Sequence, residues 1–182
     1  GATLQQVTIS ITDVNDIEPV ITSSSTFSAD ENQTAIGTIT ASDCDGVMSW
    51  ASDRDCEETG QTELTYSITG SEINIDATSG VMTFVSEPDY ETKSSYSASV
   101  SVSDGTFSDT EDITVSINNI NDNGPEITSS STFNVDENET SIGTVTATDL
   151  DNDNLTYSIS GSEININDST GVLVFTSAPD YE

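Results

Sequence analysis

Histidine is absent from the 182 residues, and only two basic side chains, Arg54 and Lys93, stand against 33 aspartates and glutamates, a formal net charge of −31. Such a surface repels phosphate, which excludes nucleic acid and anionic membranes as partners and makes cations the natural ones. With no nucleophile paired with a base and no phosphate-cradling loop, the chain also lacks the equipment of a catalytic site. No apolar run approaches the roughly 20 residues that cross a bilayer, so this segment is not expected to insert in a membrane. Nor is a signal peptide visible, and the chain reads as a cut-out from something larger.

Cysteine is nearly missing too. Cys44 and Cys56 are the only two, and neither a histidine nor a further cysteine is present to complete a zinc site. The choice is between a disulfide of an exported protein, which we favour, and two free thiols. A disulfide would close a small loop and contribute about 3 kcal/mol in the chain-entropy account. Helical periodicity is absent as well: apolar residues do not recur at three and four, and Ser, Thr, Val and Ile dominate. The hydrophobic fraction is only 32%, yet it is gathered into alternating runs, which argues for strands and against an acidic disordered chain. Most of the charge then serves to solvate the surface.

Internal repetition organises what is present. The segment VITSSSTFSADENQTAIGTITASDCD (20–45) returns as EITSSSTFNVDENETSIGTVTATDLD (126–151) at a constant shift of 106 residues. LTYSITGSEINI (64–75) returns as LTYSISGSEINI (155–166) at a shift of 91, so the first copy carries 106 − 91 = 15 extra residues, about 46–60, with Met48, Trp50, Arg54 and Cys56. Residues 5–13 alternate Val7, Ile9 and Ile11 with Thr8, Ser10 and Thr12, a half-buried strand matching 112–117. The expected organisation is therefore the last strand of a preceding repeat plus a linker (1–17), a complete repeat with the insertion and a C-terminal linker (18–122), and an incomplete second repeat (123–182). About seven short strands per repeat, with turns every 8 to 12 residues or so, predict an all-β chain of tandem immunoglobulin-like Greek-key sandwiches.

Four acidic motifs recur in fixed order: Asp-Glu-Asn (30–32, 136–138), Asp-x-Asp (43–45, 149–151), Asp-Tyr-Glu (89–91, 180–182) and the linkers Asp13-Val14-Asn15-Asp16-Ile17-Glu18-Pro19 and Asn119-Ile120-Asn121-Asp122-Asn123-Gly124-Pro125. Ends of alternate antiparallel strands share a pole of a sandwich, so motifs far apart in sequence can converge on one junction. Calcium wants about six to eight oxygen ligands, which such a junction supplies. Asp and Asn also favour turns for local reasons. That reading is preferred for Asp30, Asp76 and Asp168. It does not explain the joint recurrence of Glu31, Asp89, Glu91, Asp122, Asp149 and Asp151. Asp53-Arg54-Asp55 mimics Asp-x-Asp, but Glu31 to Asp43 and Glu137 to Asp149 are both twelve residues, which assigns Asp53 and Asp55 to the insertion. Sequons stand at Asn32, Asn138, Asn154 and Asn167.

These motifs resemble those of cadherin repeats, most closely the cadherin-like tandem repeats of large exported surface proteins, whose linker reads Asp-x-Asn-Asp-Asn-x-Pro. The resemblance covers nearly the whole chain apart from the insertion. It implies calcium between consecutive repeats: at the central junction Glu31, Asp89 and Glu91, then Asn121, Asp122 and the Asn123 carbonyl, then Asp149 and Asp151. At the N-terminal junction it implies Asp13, Asn15, Asp16, Asp43, Asp45 and Asp104.

A calcium-rigidified extracellular adhesive or structural rod is the function that follows. Its affinity is expected in the range of extracellular modules, about 10⁻⁴ to 10⁻³ M. The expected partners are other repeats of the same or identical chains, meeting head to tail with Glu137, Asp180 and Glu182 of one facing the N-terminal set of the next, and beyond them a cell-surface protein or glycan. A carbohydrate-binding module using the Cys44 to Cys56 insertion and Trp50 is the alternative from another class.

Overall fold

The computed structural model describes residues 5–8, 14–43 and 63–182. The insertion with Trp50, both cysteines, Asp13 and Asp45 lie outside the described residues. The chain divides into two compact units, Gly1–Asn118 and Asn119–Glu182, the boundary falling at the start of the second linker. The described residues contain strands and no helix.

The first unit holds β1 (Val20–Ile21), β2 (Thr26–Asp30), β3 (Ala35–Thr38), β4 (Ala41–Ser42), β5 (Thr65–Ile68), β6 (Ile73–Ile75), β7 (Val81–Phe84), β8 (Ser95–Ser103) and β9 (Ser108–Asn118). The expected seven strands appear once β1 joins β2 and β3 joins β4, each pair being one strand interrupted. The interruption lets the strand change partners: β1 pairs antiparallel with β4, while β2 pairs in parallel with β9. The main sheets run β2-β9-β8-β5 and β3-β7-β6. Sequence alternation dictates the inward face. In β8, Val100 and Val102 are 0% exposed, and in β9, Ile113, Val115 and Ile117 are 4% or less, with Ser, Thr, Asp and Glu between them. Ile39, Ile73, Met82 and Phe84 close the core from the other side.

Turn chemistry fixes the β6–β7 hairpin. Asp76 Oδ1 accepts from the amides of Thr78 and Ser79 at 3.1 and 2.8 Å and from the Ser79 hydroxyl at 2.8 Å, which holds its carboxyl below the ordinary value, the Ser79 amide contributing most. Gly80 then takes φ 69°, and a Cβ there would lie 2.3 Å from the Ile39 carbonyl oxygen.

The second unit repeats the plan with β10 (Glu126–Ile127), β11 (Ser141–Thr144), β12 (Ala147–Thr148), β13 (Ile164–Ile166) and β14 (Val172–Phe175). β10 pairs with β12 as β1 does with β4, and β11-β14-β13 form the three-stranded sheet. Gly171 repeats Gly80, at φ 70° against the Val145 carbonyl. The counterparts of β2 and β5, residues 132–136 and 156–159, carry no strand. In the first unit the equivalent segments pair with β9 and β8. Of the strand expected over residues 5–13, residues 9–13 lie outside the described residues. Its described part, residues 5–8, is exposed and without strand structure, Val7 being 74% exposed.

Candidate metal centre

The pairing of β8 with β9 sorts the acidic motifs of the first unit into two ends. Thr65 of β5 lies opposite Ser103 of β8, at the end that carries the β8–β9 turn and Asp104, and the Ile21 amide of β1 donates to Asp109 Oδ2, near the start of β9, at 2.9 Å. β1 enters from the same end, Val20 lying opposite Ser42. The N-terminal set of Asn15, Asp16, Asp43 and Asp104 therefore belongs to one end. β2 runs parallel to β9 and both finish at the other, where Asp30 pairs with Asn118 and the Glu31 amide donates to the Asn118 carbonyl at 3.2 Å. Asp89 and Glu91 join Glu31 there.

At the first end, the Asp104 carboxylate closes its turn by accepting the amides of Thr106 and Phe107 through Oδ1, each at 2.6 Å. Burial pushes this carboxyl up, but the Phe107 and Thr106 amides and the Asn15 side chain together outweigh it and hold it below its ordinary value. The group thus stays ionised. Asp104 Oδ2 and Asn15 Oδ1 are buried oxygens that receive no hydrogen bond, and Asp43 is 1% exposed.

At the other end, Glu31 is 2% exposed and accepts the Tyr90 amide through Oε2 at 2.7 Å. The Asn32 amide donates to the Pro88 carbonyl at 3.0 Å. This clamp fixes the Asp-Tyr-Glu turn beside the Asp-Glu-Asn turn and leaves carboxylate oxygens of Glu31 and Glu91 within 4.8 Å of each other. Asn32 adopts φ 61°, a left-handed conformation that asparagine tolerates. Asp89 has a structural task as well: its oxygens accept the amide and hydroxyl of Thr92 at 3.1 and 2.9 Å. The Thr92 hydroxyl, more than its amide, holds the Asp89 carboxyl low.

The second unit builds its own pole from the linker. Asp151 Oδ2 accepts the amides of Asp122 at 3.1 Å and Asn123 at 2.8 Å, the Asp151 amide donates to Asp149 Oδ1 at 2.9 Å, and Asn123 donates from its side chain to Asp122 Oδ1 at 2.6 Å. Asp122 and Asp151 bring carboxylate oxygens within 4.8 Å, and Asp151 Oδ1 is another buried oxygen without a donor. Asn121 donates to Asp153, an acid that no recurring motif marked. The far end of this unit repeats the clamp: the Tyr181 amide donates to Glu137 Oε2 at 3.2 Å, the Glu182 amide to Asp180 Oδ1 at 3.3 Å, and the Asn138 amide to the Pro179 carbonyl at 2.9 Å. Glu137, unlike Glu31, is exposed.

Every group gathered here offers oxygen ligands, and within each pair, Glu31 with Glu91 and Asp122 with Asp151, carboxylate oxygens lie within 4.8 Å of one another. The lysine, Lys93, is committed elsewhere, 2.6 Å from Glu72 and 4.2 Å above the Tyr96 ring. Arg54, the other basic residue, lies outside the described residues. A hard, multiply charged cation fits this donor set: it would satisfy the orphaned oxygens of Asn15, Asp104 and Asp151 and cancel the repulsion within each carboxylate pair.

The chain is 30% identical to a mouse protein, cadherin EGF LAG seven-pass G-type receptor 2, over 187 aligned residues covering 97% of this chain and 6% of that protein. It is 33% identical to cadherin-3 of Caenorhabditis elegans over 128 residues, 68% of this chain and 4% of the relative. The chain thus spans only a small part of the length of these relatives. Among solved structures, mouse cadherin-23 EC22-24 superposes with a TM-score of 0.73 at 22% identity, over 94% of this chain and 58% of that one. Human protocadherin-24 EC1-2 gives 0.69 at 20% identity, over 92% and 81%. No family model matches the chain.

Proposed function

This chain belongs to the cadherins as a segment of tandem extracellular repeats, and from that premise we propose that calcium, held by the carboxylate ends of successive repeats, converts it from a loosely hinged string into a stiff adhesive rod. The observation that carries the reading is the set of buried, donorless oxygens of Asn15, Asp104 and Asp151 in a chain with 33 acids and two basic residues. Glu31, Asp89, Glu91, Asn121, Asp122, Asn123, Asp149 and Asp151 hold the ions of the central junction. Asn15, Asp16, Asp43 and Asp104, with Asp13 and Asp45, form the first-repeat share of the preceding one. Glu137, Asp180 and Glu182 form the share that the second repeat offers to whatever follows, so repeats and identical chains meet head to tail.

Bound calcium supplies charge neutralisation and a fixed coordination geometry. The chain's own part is to hold carboxylates together against their repulsion. Two unit charges at 4.8 Å, the upper bound on the separation within each pair, repel by roughly 0.9 kcal/mol in water and roughly 3.5 at an effective dielectric of 20. With several such pairs at a junction, the ion-free form is pushed open and the loaded form is closed.

Calorimetric calcium titration of the whole chain, paired with melting in excess chelator, tests this. Binding heat and a higher melting temperature in calcium are expected. Melting and solution dimensions that ignore both calcium and chelator would refute the proposal.

A further inference from the structure

Among the described residues Lys93 is the one basic side chain, and it belongs to the turn that carries Asp89 and Glu91, two of the proposed calcium ligands. The Lys93 amide donates to the Asp89 carbonyl at 2.8 Å, closing a single helical turn. Side chains four apart on such a turn are neighbours, and an acid placed before a lysine at that spacing is the orientation that pairs best. Asp89 and Lys93 stand in that relation. The structure nevertheless sends the ammonium elsewhere: Lys93 Nζ lies 2.6 Å from both carboxylate oxygens of Glu72 and 4.2 Å from the centre of the Tyr96 ring. The Asp89 oxygens take the amide and hydroxyl of Thr92 instead.

Both sheets of the sandwich build this seat. Glu72 stands just before β6, its carbonyl accepting the Val85 amide at 2.9 Å just after β7, while Tyr96 belongs to β8 and its ring meets that of the buried Phe84 at 4.9 Å between centroids. The seat adds little to folding, since the Lys93 and Glu72 side chains are 42% and 54% exposed and an exposed ion pair contributes little to stability. What it governs is where the positive charge lies.

We propose that Glu72 is a positioning residue for calcium: it holds Lys93 off Asp89, so that the carboxylates of Asp89 and Glu91 meet the ion without an ammonium competing for them. This deepens the calcium reading above and rests on it. Without Glu72, Lys93 turns to the acid four residues before it. Calcium must then displace an ammonium from Asp89 and bind beside the freed charge.

Backbone NMR of the full 182-residue chain, following the Tyr90 and Glu91 amides through a calcium titration, reads this pole separately from the others. Glu72→Gln should raise the dissociation constant at those amides by roughly 3- to 10-fold, the effect of one competing positive charge beside a divalent ion in a solvated site. Lys93→Gln breaks the same bridge and should not weaken binding. The Glu72→Gln/Lys93→Gln double variant should bind like Lys93→Gln, because the two changes act on one interaction and do not add. A bridge that only braces the turn would weaken binding in both single variants, and a general loss of negative charge would make Glu72→Gln equally harmful with or without Lys93. Either pattern overturns the proposal. A second measurement needs no calcium: in chelator the Asp89 carboxyl carbon resonance should move in Glu72→Gln and return to its parent position in the double variant, and an unmoved resonance overturns the proposal as well. The two failures are distinct. Parent amides that ignore calcium refute the functional reading at this pole, whereas a parent that responds, with a Glu72→Gln variant that responds alike, refutes only the role of Glu72.

Discussion

Replacing Asp151 by asparagine isolates what its charge does, because the two side chains have the same shape. Asp151 Oδ2 holds the linker through the amides of Asp122 and Asn123, while Oδ1 is buried with no donor. An asparagine with its oxygen toward the two amides keeps both hydrogen bonds, as neutral ones, and places an NH₂ where the proposed ion binds. Two opposed effects then act on the ion-free protein. Losing the charge from two hydrogen bonds costs on the order of 1 kcal/mol each. Removing the repulsion against Asp122, whose carboxylate oxygen lies within 4.8 Å, returns roughly 0.9 to 3.5 kcal/mol when worked at that bound. They largely offset each other, so in chelator Asp151→Asn should unfold within about 1.5 kcal/mol of the parent. With calcium the balance differs. A ligand at 100 times its dissociation constant stabilises by about 2.7 kcal/mol, and a tenfold weaker site at the same concentration gives about 1.4. The calcium-dependent rise in melting temperature of the second unit should therefore shrink by about 5 to 10 °C, given 4 to 8 °C per kcal/mol for a unit of this size. Differential scanning calorimetry in calcium and in chelator reads both numbers. An unchanged calcium increment would refute the ligand role, and a loss of about 3 kcal/mol or more in chelator would mean that Asp151 is simply an anchor for the linker.

Two further outcomes are expected. Gly80→Ala should destabilise the first unit by more than about 2 kcal/mol in urea unfolding, since φ 69° is compounded by a Cβ 2.3 Å from the Ile39 carbonyl oxygen, whereas Gly105→Ala, at φ 94° in open space, should cost only about 1 kcal/mol; equal losses would show that the Ile39 approach is irrelevant. Because the Asp76 carboxyl is held low in the folded state, the stability it lends is fully present above its ordinary value of 3.8 and is lost as the pH falls through the lower folded-state value. Asp76→Asn should therefore keep the turn at neutral pH, as Asn167 does at the same place in the second repeat, accepting the amides of Ser169 and Thr170. Its stability should fall less steeply with acid, and an unaltered acid limb in pH-dependent urea unfolding would contradict that role.

Much of this was legible in the residues. The repeat at shifts of 106 and 91, the two-residue alternation of the strands and the regular spacing of the turns are local signals, and the all-β sandwich follows from them because a strand's burial pattern and a turn's chemistry are written within a few positions. The acidic motifs were legible for the same reason: they recur. What did not recur went unseen, as with Asp153, which Asn121 reaches from the linker, and the Thr92 bonds that give Asp89 a second, structural task.

By itself, then, the sequence determined that this is a tandem all-β chain with oxygen-rich turns at fixed intervals and almost no cationic charge to balance them. Only the tertiary structure decided which of those turns meet. Asn15 reaches Asp104 across about ninety residues, and Tyr90 clamps Glu31 across 59, because the parallel pairing of β2 with β9 and the antiparallel return of β8 bring distant strand ends to a common pole. Such pairings are fixed by burying Val100, Val115 and their neighbours in one core.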